Sequence, residues 1–133
     1  NNGFRGISWS NDFGNTWSYV YLDNHLLDPI CEGGLAYINN TIIFSNPNMK
    51  YARANLTLAI KSHLNDTWKK LQITDPTVLS DYSVIGQNII NINNTNYIPV
   101  IWGSCILPFP FRPWCIWGWE IKISYIKNNL IFN

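Results

Sequence analysis

Short apolar runs of about five to nine residues, each closed by Asn, Asp, Gly or Pro, recur along almost the whole chain. Helical periodicity is scarce, so this punctuation constrains the chain to an all-β fold. "GGLAYIN" (33–39) and "IIFSNP" (42–47) read as a hairpin turning near Asn39 and Asn40, because Asn tolerates the left-handed backbone of a tight turn. "ANLTLAIKS" (54–62) follows, and "WKKLQIT" (68–74) comes after a break at Asn65 and Asp66. These four runs predict one antiparallel unit over 33–74.

A further unit is expected over 82–132. It contains "YSVIGQNIINI", a turn at Asn93 to Asn96, "YIPVIW", an irregular Pro- and Trp-rich segment at 105–119, and "WEIKISYI". Before both, "FRGISWS" and "WSYVYLD" read as the last two strands of a preceding unit, over 1–22. Four-stranded units repeating every 40 to 50 residues or so are the signature of β-propeller blades, and about two and a half are expected here. Fewer than three blades cannot close a ring, so the remaining blades are expected outside this chain.

The chain has 133 residues, 47% hydrophobic and 13% charged, with a net charge of +1. That is too apolar for intrinsic disorder and too neutral for a nucleic-acid footprint. No apolar run reaches the roughly 18 to 20 residues of a spanning helix, and membrane contact is not expected. The chain opens on Asn1 without a targeting segment, which predicts a processed or partial chain. Four Asn-X-Ser/Thr sequons, at Asn39, Asn55, Asn65 and Asn93, point toward a lumenal route. Cys31, Cys105 and Cys115 have no metal-ligand spacing and allow at most one bridge within the chain.

"SNDFGNTW", Ser10 to Trp17, admits two readings. An Asp among amides invites a hard cation, but one carboxylate is too few, and no metal or cofactor is expected. As a turn between strands, the Ser-x-Asp-x-Gly-x-Thr-Trp spacing of Ser10, Asp12, Gly14, Thr16 and Trp17 makes sense: the Asp12 and Ser10 side chains can bond backbone amides at the tip, Gly14 can take positive φ, and Trp17 can tuck beneath.

The same motif resembles the Asp box of sialidases (neuraminidases). The text after it is similar to the C-terminal half of their catalytic domain. "DPICEGGL" (28–35), "IIFSNP" (42–47), "ARANLTLAIKS" (52–62), a degraded box ending in "DTW" at Trp68, and "DYSVIG" (81–86) follow in family order. "FSNP" and "NLTL" lean toward the animal lysosomal-type branch. The resemblance implies a six-bladed propeller releasing terminal sialic acid from glycoconjugates through a tyrosine nucleophile, in a lysosomal or other secretory-pathway lumen. A phenol suits this substrate because an anionic nucleophile would be repelled by the carboxylate on the anomeric carbon. Tyr82 matches the family's nucleophile, and Arg53 matches the third of three arginines that hold the substrate carboxylate. Without the resemblance, Tyr82 reads as a strand-start aromatic and Arg53 as a surface arginine. Glu32 is a candidate pocket residue, or else a solvated loop carboxylate.

Arg5 corresponds to a strand arginine and is not assigned to substrate. Asp12 and Asp66 belong to turns, and His25 and His63 read as loop and strand-end residues. The family's activating Glu and acid/base Asp have no counterpart here. Where the family has Tyr-Glu, this chain has Trp102 and Gly103, and a glycine cannot buttress an arginine. "CILPFPFRPWCIWGW" (105–119) has no family counterpart and reads as a sugar-stacking platform, an interfacial loop or a faulty gene reading. The expected activity is exo-α-sialidase in the full-length protein and none in this chain alone. The alternative is a non-catalytic propeller piece that binds glycans or another protein.

Overall fold

The computed structural model describes residues 2–105 and 119–132. The fold is all-β: ten strands in three antiparallel sheets, with no α-helix among the described residues. The Pro- and Trp-rich segment, with the readings offered for it, falls on 106–118, outside the described residues.

The first sheet pairs β1 (Phe4–Ile7) with β2 (Tyr21–Leu27). The strand expected from Trp17 starts only at Tyr21. Residues 17–20 are held in the long turn instead, where the Ser18 N–H bonds the Trp9 carbonyl at 2.8 Å. A bulge lies opposite Phe4 and Arg5, and His25, expected in a loop, lies within β2.

The second sheet is the meander β3 (Gly34–Ile38), β4 (Thr41–Pro47), β5 (Leu56–Lys61) and β6 (Lys69–Gln72), in that order. Asn39 and Asn40 turn the first hairpin with φ of 48° and 58°, the left-handed pair that a two-residue turn requires. One face, with Ala36, Ile38, Ile43, Leu58 and Ile60, packs on the third sheet. The other, with Phe44 and Ala59, packs on Ile7 and Leu26 of the first.

The third sheet contains β7 (Ser83–Ile85), β8 (Ile90–Ile92), β9 (Thr95–Cys105) and β10 (Trp119–Lys127). "YSVIGQNIINI" is therefore two strands along one side of β9 rather than one. The interruption falls beside Pro99, which has no N–H to donate to a neighbour, and its carbonyl instead accepts the Gly86 N–H at 2.8 Å. The turn into β9 is tighter than Asn93 to Asn96: Asn93 and Asn94 take φ of 49° and 61°, and Thr95 already pairs with Ile92. Ile85, Ile98, Val100, Trp102 and Ile126 fill the face toward the second sheet.

The second and third sheets meet most closely at the start of β3. A Cβ on Gly34 would stand 2.8 Å from the Ile85 nitrogen and 2.9 Å from the Val84 Cα, so only glycine lets the backbones approach this far. Beside it, buried Ser45 and Ser83 bond Oγ to Oγ at 2.8 Å, and the Ser83 hydroxyl also reaches the Ser45 carbonyl at 3.0 Å.

Candidate functional site

In the Ser10–Trp17 turn, positive φ falls on both Phe13 and Gly14, at 58° and 89°. Asp12 Oδ1 accepts the Ser10 hydroxyl at 2.7 Å and the Thr16 N–H at 2.8 Å, while Oδ2 accepts the Thr16 hydroxyl at 2.6 Å. Those bonds hold the Asp12 carboxyl down at a pKa of about 2, the Thr16 hydroxyl contributing most. Both oxygens serve the turn. Among the described residues, no three His, Cys, Asp or Glu gather as a metal-ligand group. The Trp17 indole N–H bonds the Gly14 carbonyl at 3.0 Å, yet its ring is 65% exposed, so it closes its own turn and pins no sheet among the described residues.

Arg53 and Tyr82 do come together. Arg53 lies in the connection from β4 to β5, where its carbonyl accepts the Ser80 N–H at 2.9 Å. Tyr82 stands between two anchored residues. The Asp81 N–H bonds the Gly103 carbonyl at 2.8 Å, the Gly103 N–H bonds the Tyr82 carbonyl at 3.0 Å, and Ser83 is fixed to Ser45. The Tyr82 ring is 54% exposed, and the Arg53 guanidinium carbon lies 5.4 Å from its centroid, within cation–π range.

The guanidinium is gripped on two sides. Nη1 pairs with Asp81 Oδ1 at 2.8 Å, and Nη2 donates to the Ile30 carbonyl at 2.8 Å. Burial alone would lower the Arg53 pKa, but the neighbouring Asp81 charge outweighs it and raises the value. Buried Cys31 donates its thiol hydrogen to the same Asp81 oxygen at 3.0 Å. Its thiol is pushed far up, by burial first and then by Asp81, and stays protonated.

Asp28 and Arg5 fix the loop that carries Ile30. Asp28 Oδ1 accepts the Ile30 N–H at 2.9 Å and the Cys31 N–H at 3.3 Å, and it pairs with Arg5 at 3.1 Å. Arg5 Nη2 also donates to the Cys31 carbonyl at 2.7 Å, and its guanidinium lies over Phe44. Ile30 has a φ of 61°, strained backbone for a β-branched residue. Ser80 Oγ and Arg5 Nε are buried in this region without a hydrogen-bond partner among the described residues.

Sequence reasoning named Arg53 and Tyr82 but missed Asp81, Ile30, Cys31 and the scaffolding use of Arg5. Glu32 is exposed after Cys31 and has no hydrogen bond or ion pair among the described residues, so it stands outside the cluster. A cleft of about 600 Å³ lined by Lys61, Asp66, Lys69 and Phe132 lies at the opposite end of the second sheet and contains neither Arg53 nor Tyr82. No described helix is long and apolar enough to cross a membrane. No family model matches the chain, and no curated protein matches it.

Proposed function

We propose that this chain is part of an exo-α-sialidase, a six-bladed propeller that releases terminal sialic acid from glycoconjugates in a lysosomal or other secretory-pathway lumen. The observation that carries the reading is the pairing of a guanidinium with a half-exposed phenol, 5.4 Å apart, at one end of the sheets. A cation that never loses its charge suits the substrate carboxylate, and a phenol suits the anomeric carbon beside it. In this reading the Tyr82 oxygen attacks that carbon as the bond to the leaving oxygen breaks. The phenolic proton passes to a general base, an acid protonates the leaving oxygen, and water then cleaves the tyrosyl intermediate. Base and acid would come from blades outside this chain. In this reading the two-stranded sheet and the two four-stranded sheets would count as about two and a half blades, and the apolar residues exposed on the third sheet support a continuing ring.

One observation favours the second reading, a non-catalytic propeller piece that binds glycans or protein. Gly103 sits directly across the ladder from Tyr82, where the resemblance calls for a carboxylate. The experiment that separates them uses the full-length protein and a fluorogenic sialoside. Wild type is expected to turn it over, and Tyr82→Phe to lose at least about a thousandfold in kcat. Turnover undiminished by the substitution removes Tyr82 as nucleophile, and no wild-type turnover leaves the binding reading.

A further inference from the structure

We propose that Asp81 is the positioning residue for Arg53, its buried carboxylate fixing the guanidinium beside Tyr82 so that an incoming substrate carboxylate meets a preset fork. The proposal rests on reading Arg53 as the arginine that holds that carboxylate. The Asp81 side chain is 5% exposed against 39% for Arg53, so the anchor lies inside and the anchored cation faces out. Asp81 precedes Tyr82 directly, and its own N–H is fixed to the Gly103 carbonyl at 2.8 Å. One chain step therefore sets the guanidinium against both the carboxylate and the phenol.

The opposite side of the clamp is the Ile30 carbonyl, aimed at Arg53 Nη2 from a backbone with φ of 61°. That strained conformation is kept by Asp28, which binds the next two N–H groups and is itself paired with Arg5. Asp81 and Ile30 take one N–H each from a planar group that carries five, so donors remain for a ligand carboxylate. The Cys31 thiol, bonding the same Asp81 oxygen at 3.0 Å, fixes where the anchor points. A carboxylate that merely competed with substrate for Arg53 would behave in the opposite way: neutralising it would tighten binding.

The test uses the full-length protein and two readouts, sialoside kinetics and the rate at which phenylglyoxal labels Arg53, followed by mass spectrometry. Asp81→Asn is expected to raise KM about tenfold while kcat changes by less than about threefold, and to speed Arg53 labelling several-fold. Asp81→Glu, which keeps the charge but displaces it by one methylene, is expected to move both in the same direction by less. A KM that falls or holds in Asp81→Asn, or Arg53 labelling that does not change, overturns the proposal. If wild type shows no turnover, the sialidase reading fails by itself and labelling alone decides whether Asp81 holds Arg53. If Asp81→Asn does not fold, Asp81→Glu decides, and unchanged values overturn the proposal.

Discussion

The middle sheet and the last sheet are both antiparallel and both carry several isoleucines, but they are buried differently. All six residues of β5 are buried, whereas β10 buries only Ile126 among its described side chains. The register explains the difference. Val84, Ile101 and Ile123 lie across from one another, as do Gly103 with Ile121 and Pro99 with Tyr125, so the exposed apolar residues of the last sheet share one face. At the other end of the stack Leu22 of the first sheet is exposed, as are Tyr19 and Val20 in the turn that leads into β2. The inner strand β5 of the sheet with a neighbour on each side is buried through, whereas the sheet with one neighbour keeps an apolar face open.

The two Thr-Trp turns repeat the lesson on a smaller scale. The Trp68 indole N–H reaches out of its turn to Asp23 of the first sheet at 2.7 Å, and Lys61 Nζ lies 4.3 Å from its ring centroid. The Trp17 N–H folds back onto its own Gly14. A tryptophan after such a turn bridges to an adjacent sheet where one is present.

The largest effect expected from this comparison separates two core-like aliphatic residues. Leu58→Ala, at a side chain with no exposure in the core between the second and third sheets, is expected to cost about 2–5 kcal/mol, whereas Ile121→Ala at 79% exposure should stay within about 0.5 kcal/mol. Urea unfolding of both variants checks this. Equal losses would mean that the last sheet is covered in the chain as tested.

A medium effect follows for Ile123→Lys, which places a charge on the open face. In the 133-residue chain it is expected to leave the unfolding midpoint unchanged and to raise the soluble fraction, since it breaks an apolar patch. In the longer propeller proposed above, where a further sheet would cover that face, it should cost about 1–3 kcal/mol. Thermal melts of the two proteins side by side decide it, and a full-length protein indifferent to the lysine would argue against a continuing ring.

Much of this architecture was legible in the sequence because it is local. The Asn pairs at 39–40 and 93–94 signal their turns directly, and alternation along "GLAYI" appears as the burial of β3. The interruption between β7 and β8 was missed because its cause, Pro99, lies on the neighbouring strand. The site was legible in two residues, Arg53 and Tyr82, through a resemblance. Its grip was not, because Asp81 meets Arg53 across 28 positions and Cys31 across 50, and nothing local marks a buried carboxylate as an anchor. Ile30 is harder still: an isoleucine gives no sequence signal for positive φ.

The smallest expected effect concerns the turn that stands apart from its neighbours. Asp12 is held near a pKa of about 2, against an ordinary value of 3.8, by hydrogen bonds from Thr16 and Ser10. A depressed carboxyl contributes stability above its unfolded pKa and loses it as pH falls through the folded one, so the contribution should be whole above about pH 4 and gone below about pH 2. The comparison is between wild type and Asp12→Ala in thermal melts across that range. Their midpoints should differ by a constant amount near neutral pH and converge as the carboxylate is protonated. A difference that persists at the acid end would mean that Asp12 supports the turn through geometry its protonated form retains, and a difference absent throughout would mean that the turn closes through Trp17 and Gly14 alone.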